Sequence, residues 1–196
     1  MKGKVIIGLV IVIAIVFYGI GANNKLVDKE VKVDTAWAQV ENQYQRRADL
    51  IPNLVNTVKG AANFEQETLT AVTNARSNAS SINISADDLN DPAKLAQFQQ
   101  AQAQLSGALS RLLVTVERYP ELKANANFRD LQSQLEGTEN RISTERKRFN
   151  DVAGEYNISI RKFPTSIFAS LGGFDKKAFF EADQGTENAP TVDFSN

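Results

Sequence analysis

Residues 26–62 carry a periodic apolar stripe that leaves few folds open to this chain. The segment reads LVDKEVKVDTAWAQVENQYQRRADLIPNLVNTVKGAA. Its stripe has members three or four positions apart: Val33, Trp37, Val40, Tyr44, Ala48, Ile51, Val55, Val58 and Ala62. Side chains at these spacings share one face of an α-helix, so the stripe predicts a single long helix. The rest of the chain must then supply helices that cover it.

Pro52 lies inside this predicted helix. Proline has no backbone N–H, and its ring clashes with the carbonyl four residues earlier. Because the stripe continues in phase through Val55 and Val58, we expect a kink near residues 48–51 and no termination there. The helix is predicted to end near Lys59-Gly60.

Residues 5–22 form a run without a charged side chain. As a helix the run extends about 27 Å, close to the ~30 Å hydrocarbon core of a bilayer. We therefore predict a transmembrane anchor over residues 1–23, contacting lipid through residues 5–22, with a hinge at Asn23-Asn24. A cleaved signal peptide is the alternative. It is disfavoured because its apolar region usually has about 7–15 residues, and Gly19-Ile20-Gly21 is a poor cleavage site.

Charge decides the orientation of this anchor only weakly. Lys2 and Lys4 precede the apolar run, and Lys25, Lys29 and Lys32 follow it. A short basic N-terminus before a long polar domain is typical of an anchor whose N-terminus stays inside the cell. We expect the soluble part to lie outside the cytoplasm.

Three further helices are predicted. The second spans about residues 64–78 and is followed by a loop over the Ser-, Asn- and Asp-rich residues 77–91. Asp91 caps the third helix, which has Pro92 at its first position and ends before Pro120. The fourth begins near residues 121–127 and ends at Pro164. The predicted fold is all-α: one N-terminal transmembrane helix, then an antiparallel four-helix bundle over residues 24–164 with long first and fourth helices.

Residues 165–196 form a Phe-rich C-terminal tail. Its apolar rings either fold back onto the bundle or make a partner surface. The candidate oligomer or partner surface consists of Phe174, Phe179, Phe180 and Phe194.

Composition narrows the chemistry. The chain has no Cys and no His, so disulfides, Cys/His zinc sites and histidine bases are excluded. A net charge of −1 gives no general attraction to nucleic acid. No phosphate-binding or nucleophile motif is present, and no cofactor is predicted. A carboxylate metal site is disfavoured, because di-metal bundles pair Glu with Glu-x-x-His.

Six charged residues form a candidate polar interaction site: Arg46, Arg47, Asp49, Glu117, Glu139 and Arg141. One hypothesis makes the group around Arg46, Arg47 and Asp49 a ligand or partner site beside Pro52. The other pairs Arg46 and Arg47 with Glu117, Glu139 or Glu145 of neighbouring helices, so that the ion pairs set the helix register.

Several long motifs resemble the LemA family of bacterial membrane proteins. They are AWAQVENQYQRRADLIPNLVNTVKG (36–60), ERYPELKAN (117–125), LEGTENRI (135–142), RKRFNDVAGEYN (146–157) and the closing FFEA and APTVDF. The resemblance implies one N-terminal anchor, an all-helical soluble domain and no established enzyme activity.

We therefore expect a single-pass protein of the bacterial inner membrane with a periplasmic or extracytoplasmic domain. Its expected function is that of a homo-oligomeric scaffold or adaptor of the cell envelope, which contacts its own copies or another envelope protein. A ligand sensor using the polar site near Pro52 is the alternative, and an enzyme is the least supported class.

Overall fold

The structure, a computed structural model, describes residues 2–61 and 64–181, and helices are the only regular secondary structure in this part of the chain. A short 3₁₀ helix, Ala86–Asn90, lies between the second and third α-helices. The α-helices are α1 (Lys2–Lys59), α2 (Gln66–Ser81), α3 (Pro92–Val116), α4 (Pro120–Ala124), α5 (Ala126–Arg161) and α6 (Thr165–Gly172). The all-α class is as predicted, but α4 and α6 are additional to the predicted helices.

The first helix, α1, is continuous from the apolar run into the core. It passes through Pro52 and ends at Lys59, as predicted. The hinge expected at Asn23-Asn24 is wrong, because both residues are helical. Leu26 is already buried one turn later, so packing holds this part of α1 in the helical form.

The helices pack in two pairs. The long α5 runs antiparallel to α1, since Arg47 contacts Glu139 while Lys29 contacts Glu155. The shorter α2 lies against α3, where Asn78 donates a hydrogen bond to Gln104. Both pairs share one interior, because α2 also contacts α1.

The segment 77–91, predicted to be a loop, is mostly helical. The second helix continues to Ser81, and the 3₁₀ helix begins with a capping box between Ser85 and Asp88. Ile84 and Leu89 are buried, so contact with the core outweighs the turn preference of the Ser, Asn and Asp residues around them.

Side chains cap the starts of α3 and α5 with hydrogen bonds to the backbone. Asp91 accepts from the backbone N–H groups of Ala93 and Lys94, as expected of an N-cap, and Pro92 is the first residue of α3. Asn125 caps α5 by accepting from the N–H groups of Asn127 and Phe128.

Two apolar clusters make up the interior. The proximal cluster, on the side of the apolar run, includes Val33, Trp37, Tyr44, Phe98, Ile142, Phe149, Tyr156 and Phe180. The distal cluster includes Ile51, Leu54, Val58, Leu69, Leu105, Leu112, Phe128 and Leu135. On each of the three long core helices the two clusters are separated by one short polar stretch.

Candidate functional site

Arg47 lies at the boundary between the two clusters. Its side chain is 1% exposed and is the largest of the fully buried side chains described. Nη1 donates to Glu139 Oε1 at 2.6 Å and to Ser106 Oγ at 2.7 Å, and Nη2 donates to Gln102. The guanidinium carbon lies 5.2 Å from the Tyr44 ring centroid, a cation–π distance. One side chain of α1 thus binds α3 and α5 together.

The residues at this level form what we call the polar layer, defined by Arg47, Gln102, Ser106, Thr138 and Glu139. Thr138 is buried and donates its hydroxyl hydrogen to the Gln134 carbonyl at 2.7 Å. Burying a charge is costly unless hydrogen bonds and a counter-charge accompany it. A slip of α1 along α3 or α5 would break the bonds that Arg47 makes to Gln102, Ser106 and Glu139.

The other predicted polar residues do not join this layer. Arg46 and Arg141 are exposed. Asp49 is also exposed and accepts a hydrogen bond from Gln45 at 2.8 Å. Glu117 pairs with Lys123 at 2.6 Å beyond the end of α3. Of the six candidates, the structure brings together Arg47 and Glu139.

The Ala48 carbonyl, which Pro52 leaves without its helical donor, has a hydrogen-bond partner that the sequence did not reveal. In a regular helix the N–H at position 52 would donate to the carbonyl of Ala48, and proline has no such N–H. Arg76 of α2 takes its place and donates Nε–H to the Ala48 oxygen at 2.8 Å. The proline therefore creates an acceptor that ties α2 to α1.

The segment 174–181, which we call the strap, lies extended along α5 and α3. Three side-chain amides each make two hydrogen bonds to its backbone, one donated and one accepted. Asn157 binds Lys177, Asn150 binds Phe180 and Gln99 binds Glu181. The Ala178 N–H donates to the Leu89 carbonyl at 2.8 Å. These three amides bind only backbone atoms of the strap, so the hydrogen bonds do not depend on the side chains of residues 177, 180 and 181.

Sequence reasoning missed these three amides. Asn150 and Asn157 are seven residues apart on α5, so they share a face with a largely apolar stripe. Two asparagines at that spacing on a buried face could have indicated a binding role. What they bind, the backbone of the strap, is known only from the tertiary structure.

The Phe residues predicted as a partner surface have different environments. Phe180 is 5% exposed and stacks on Trp37, so it belongs to the core and not to an exposed surface. Phe174 is half-buried against the proximal cluster, while Phe179 is 39% exposed. Phe194 lies outside the described residues. For Phe180, the fold-back alternative is the one the structure shows.

Lys177 is buried where the strap crosses α1, and the acidic residues Glu30 and Asp34 near it are partly buried. The Lys177 ammonium pairs with Glu30 at 2.9 Å and lies 5.8 Å from the Tyr156 ring centroid. Burial raises the pKa of the Asp34 carboxyl above its ordinary value, and the neighbouring Lys177 charge opposes that rise without cancelling it. Burial, reinforced by the Glu30 charge, raises the pKa of Tyr156 as well. In both groups the folded protein binds the proton more tightly than the unfolded chain does.

The chemistry open to these groups is limited. The Arg47 guanidinium is already bound by Glu139, Ser106 and Gln102. A cleft of about 250 Å³ opens beside the polar layer and is lined in part by Tyr44, Gln45 and Gln102. Among residues 2–61 and 64–181, no cluster of three or more Asp or Glu side chains is arranged to hold a metal ion.

One helix of the described chain, α1, is long and apolar enough at its N-terminal end to cross a membrane. This is a property of length and composition. The apolar window is almost entirely exposed, with large side chains such as Ile13 and Phe17 on its surface.

Sequence comparison finds relatives of two kinds. Protein LemA from Metamycoplasma hominis is 25% identical over 168 residues, which cover 86% of this chain and 73% of that protein. Magnetosome protein MamQ 2 from Paramagnetospirillum magneticum is 33% identical over 81 residues, 41% of this chain and 30% of its own length. Magnetosome protein MamQ from Magnetospirillum gryphiswaldense is 32% identical over 80 residues, again 41% of this chain and 29% of its own.

The family assignment rests on a longer match. The sequence profile of the LemA family matches residues 36–194, a range that holds Arg47, Pro52, the polar layer and the strap. Neither kind of relative has a name that denotes an enzyme. The chain is a helical protein whose first helix could cross a membrane, and it belongs to the LemA family.

Proposed function

We propose that the protein is a membrane-anchored scaffold or adaptor of the bacterial cell envelope, homo-oligomeric and without catalytic activity. The observation that carries this proposal is the continuity of α1. The same helix of 58 residues contains the apolar run and contributes Trp37, Arg47 and Leu54 to the core. A domain built around its own anchor is held at a set height and orientation, which suits a scaffold.

The length of α1 indicates how far the bundle extends from the bilayer. At about 1.5 Å per residue, 58 residues extend about 87 Å. About 27 Å of that is the apolar run, so the remainder carries the bundle away from the bilayer. The polar layer supports a scaffold too, since it fixes one arrangement of α1, α3 and α5.

Val27 and Val31 are the surface that we assign to contact between copies. They are exposed on α1, four residues apart, directly beyond the apolar run. Residues four apart share a helix face, so α1 of a second copy can pack along them with the anchors side by side.

Single cysteines test this contact in native membranes, because the chain has none of its own. Oxidation should cross-link Val27→Cys or Val31→Cys into a dimer. Val114→Cys is the matched control, since Val114 is also an exposed valine but lies near the far end of α3. Absence of cross-linking at both 27 and 31, with a monomeric mass in detergent, would refute the homo-oligomer.

The proposed location is the inner membrane with the bundle outside the cytoplasm. Gly3→Cys and Ser143→Cys mark the two ends of such a topology, and an impermeant maleimide should label only Ser143→Cys in spheroplasts. The reverse pattern would place the bundle in the cytoplasm. Labelling of both would show that residues 5–22 do not span the membrane.

The ligand-sensing alternative draws support from the cleft beside Tyr44 and Gln102. It is weakened because Arg47 already has a counter-charge in Glu139. A thermal-shift screen with small anions separates the two functions. A scaffold should show no stabilisation, whereas a ligand present at 100 times its Kd should add roughly 2.7 kcal/mol to the unfolding free energy.

A further inference from the structure

The sixth helix, α6, has an apolar surface that the bundle does not cover. Its sequence, TSIFASLG, contains no charge. Ile167 and Leu171 are four residues apart on one face and are exposed, Leu171 at 81%. Phe163, two residues before α6, is 83% exposed. Large apolar side chains this exposed and this close together indicate a contact surface.

The other face of α6 lies against the end of the apolar run. The Phe168 ring covers Gly19 so closely that a Cβ there would lie 2.5 Å from Phe168 Cε1. The same ring is 5.7 Å from the Tyr18 ring, centroid to centroid. Glycine at position 19 therefore lets α6 lie directly against α1.

The position along α1 sets the depth of this contact. Gly19 is three residues before residue 22, where the apolar run ends, and three residues of helix extend about 5 Å. Amphipathic helices in a membrane interface bury their apolar faces about 5–10 Å into the boundary between headgroups and acyl chains. The depth of α6 beside the proposed anchor matches that range.

Lysines surround the same place. A cleft of about 280 Å³ between α1 and the junction of α5 with α6 includes Lys25, Lys29 and Lys162 in its lining. Lys29 is paired with Glu155, whereas at the level of the headgroups the ammonium groups of Lys25 and Lys162 can bind lipid phosphates while their stems cover apolar surface. A two-fold contact through the same patch would instead place lysines of one copy near those of the other.

We propose that α6 is an interfacial membrane helix, so that the domain contacts the bilayer at a second place beside its anchor. This inference rests on the proposed function, because it requires residues 5–22 to span the membrane. Ile167, Leu171 and Phe163 enter the acyl boundary, and the domain is thereby held close against the lipid surface.

Spin labels on single cysteines test the proposal in the full-length protein. The three variants are Ile13→Cys in the apolar run, Leu171→Cys in α6 and Val114→Cys, which is exposed and far from the run. Each is reconstituted in vesicles of phosphatidylcholine and phosphatidylglycerol. Collisions with oxygen, which dissolves in the bilayer, are compared with collisions with a water-soluble nickel complex.

We expect the oxygen-to-nickel ratio at Leu171 to lie between the other two and several-fold above that at Val114. A ratio at Leu171 equal to that at Val114, with Ile13 in lipid, would overturn the α6 proposal and leave the anchor intact. Spin–spin broadening at Leu171 would overturn it in favour of a second copy. A water-exposed label at Ile13 would refute the anchor itself and α6 insertion with it.

Discussion

Arg76 donates its Nε–H to the carbonyl oxygen of Ala48, the acceptor that Pro52 leaves without its helical donor. The contact joins α2 to α1 at the Ala48 carbonyl, which has no donor within α1 because Pro52 lacks an N–H. Pro52 of α1 and Arg76 of α2 are thus coupled. The effect of replacing either one on the free energy of unfolding should be smaller when the other has already been replaced.

The first prediction is a double-mutant cycle on this pair. Arg76→Met should lower the free energy of unfolding by about 1–3 kcal/mol, because it leaves a part-buried carbonyl unsatisfied. In a Pro52→Ala background the same change should cost less, since alanine at this position restores the helical N–H. Thermal or denaturant unfolding measures each corner of the cycle.

Arg46→Met is the control for the first prediction, since Arg46 is exposed on α1, the helix that contains Pro52. Its effect should be small in both backgrounds. Equal costs of Arg76→Met with and without Pro52 would show that the two residues are not coupled.

The second prediction is an asymmetry in the polar layer. Glu139→Ala leaves the Arg47 charge buried without its counter-charge and should destabilise the protein by about 3 kcal/mol or more. The unpaired charge left by Arg47→Met should lower the free energy of unfolding less, because the remaining Glu139 side chain is 42% exposed and can be hydrated.

Combining the two changes tests the reason for that asymmetry. With Arg47→Met already present, Glu139→Ala should have little further effect on the free energy of unfolding. A double variant as unstable as the sum of the single ones would mean that Glu139 acts through packing rather than charge.

The third prediction separates the two adjacent phenylalanines of the strap. Phe180→Ala should lower the free energy of unfolding by about 3–5 kcal/mol, the range for truncating a buried aromatic ring. Phe180 stacks on Trp37 at 5.8 Å and meets Phe149 edge-on at 5.6 Å. The fluorescence of Trp37, the single tryptophan of the chain, reports loss of the stacking.

Phe179→Ala is the matched control for the third prediction. Its ring is partly exposed, so its truncation should cost far less than that of Phe180. Similar costs at 179 and 180 would contradict the placement of the strap in the core.

The fourth prediction concerns pH. Because burial raises the pKa of Asp34, the folded state binds its proton more tightly than the unfolded chain does. The stabilisation from that proton is complete below the unfolded pKa of about 3.9 and is lost as the pH rises through the folded pKa. Above the folded pKa the buried carboxylate counts against folding.

Asp34→Asn should therefore raise the melting temperature at pH 7, and the advantage should shrink as the pH falls toward about 4, near the unfolded pKa. Asp28→Asn removes the same charge from an exposed position of α1 and is the control. A melting temperature for Asp34→Asn below that of the unmodified protein at pH 7 would contradict the prediction.

Local rules predicted much of this architecture. The three-and-four spacing of residues 33–58 placed α1 correctly, and Asp91 with Pro92 located the start of α3, because caps and stripes depend on residues within one or two turns. The apolar run before the stripe was likewise visible from length and charge. The Asn23-Asn24 hinge and the long loop were wrong, since local polarity there is outweighed by contacts with distant residues.

Packing in the tertiary structure decided which distant residues contact each other. Whether Arg47 met Glu139, Glu117 or Glu145 depends on how α5 is placed along α1, and many registers satisfy the same stripe. Asn150, Asn157 and Gln99 are informative only once the strap backbone lies beside them. Periodicity shows which face of a helix is buried, but a hydrogen bond or ion pair between distant segments exists only at the distance and direction that the assembled core imposes.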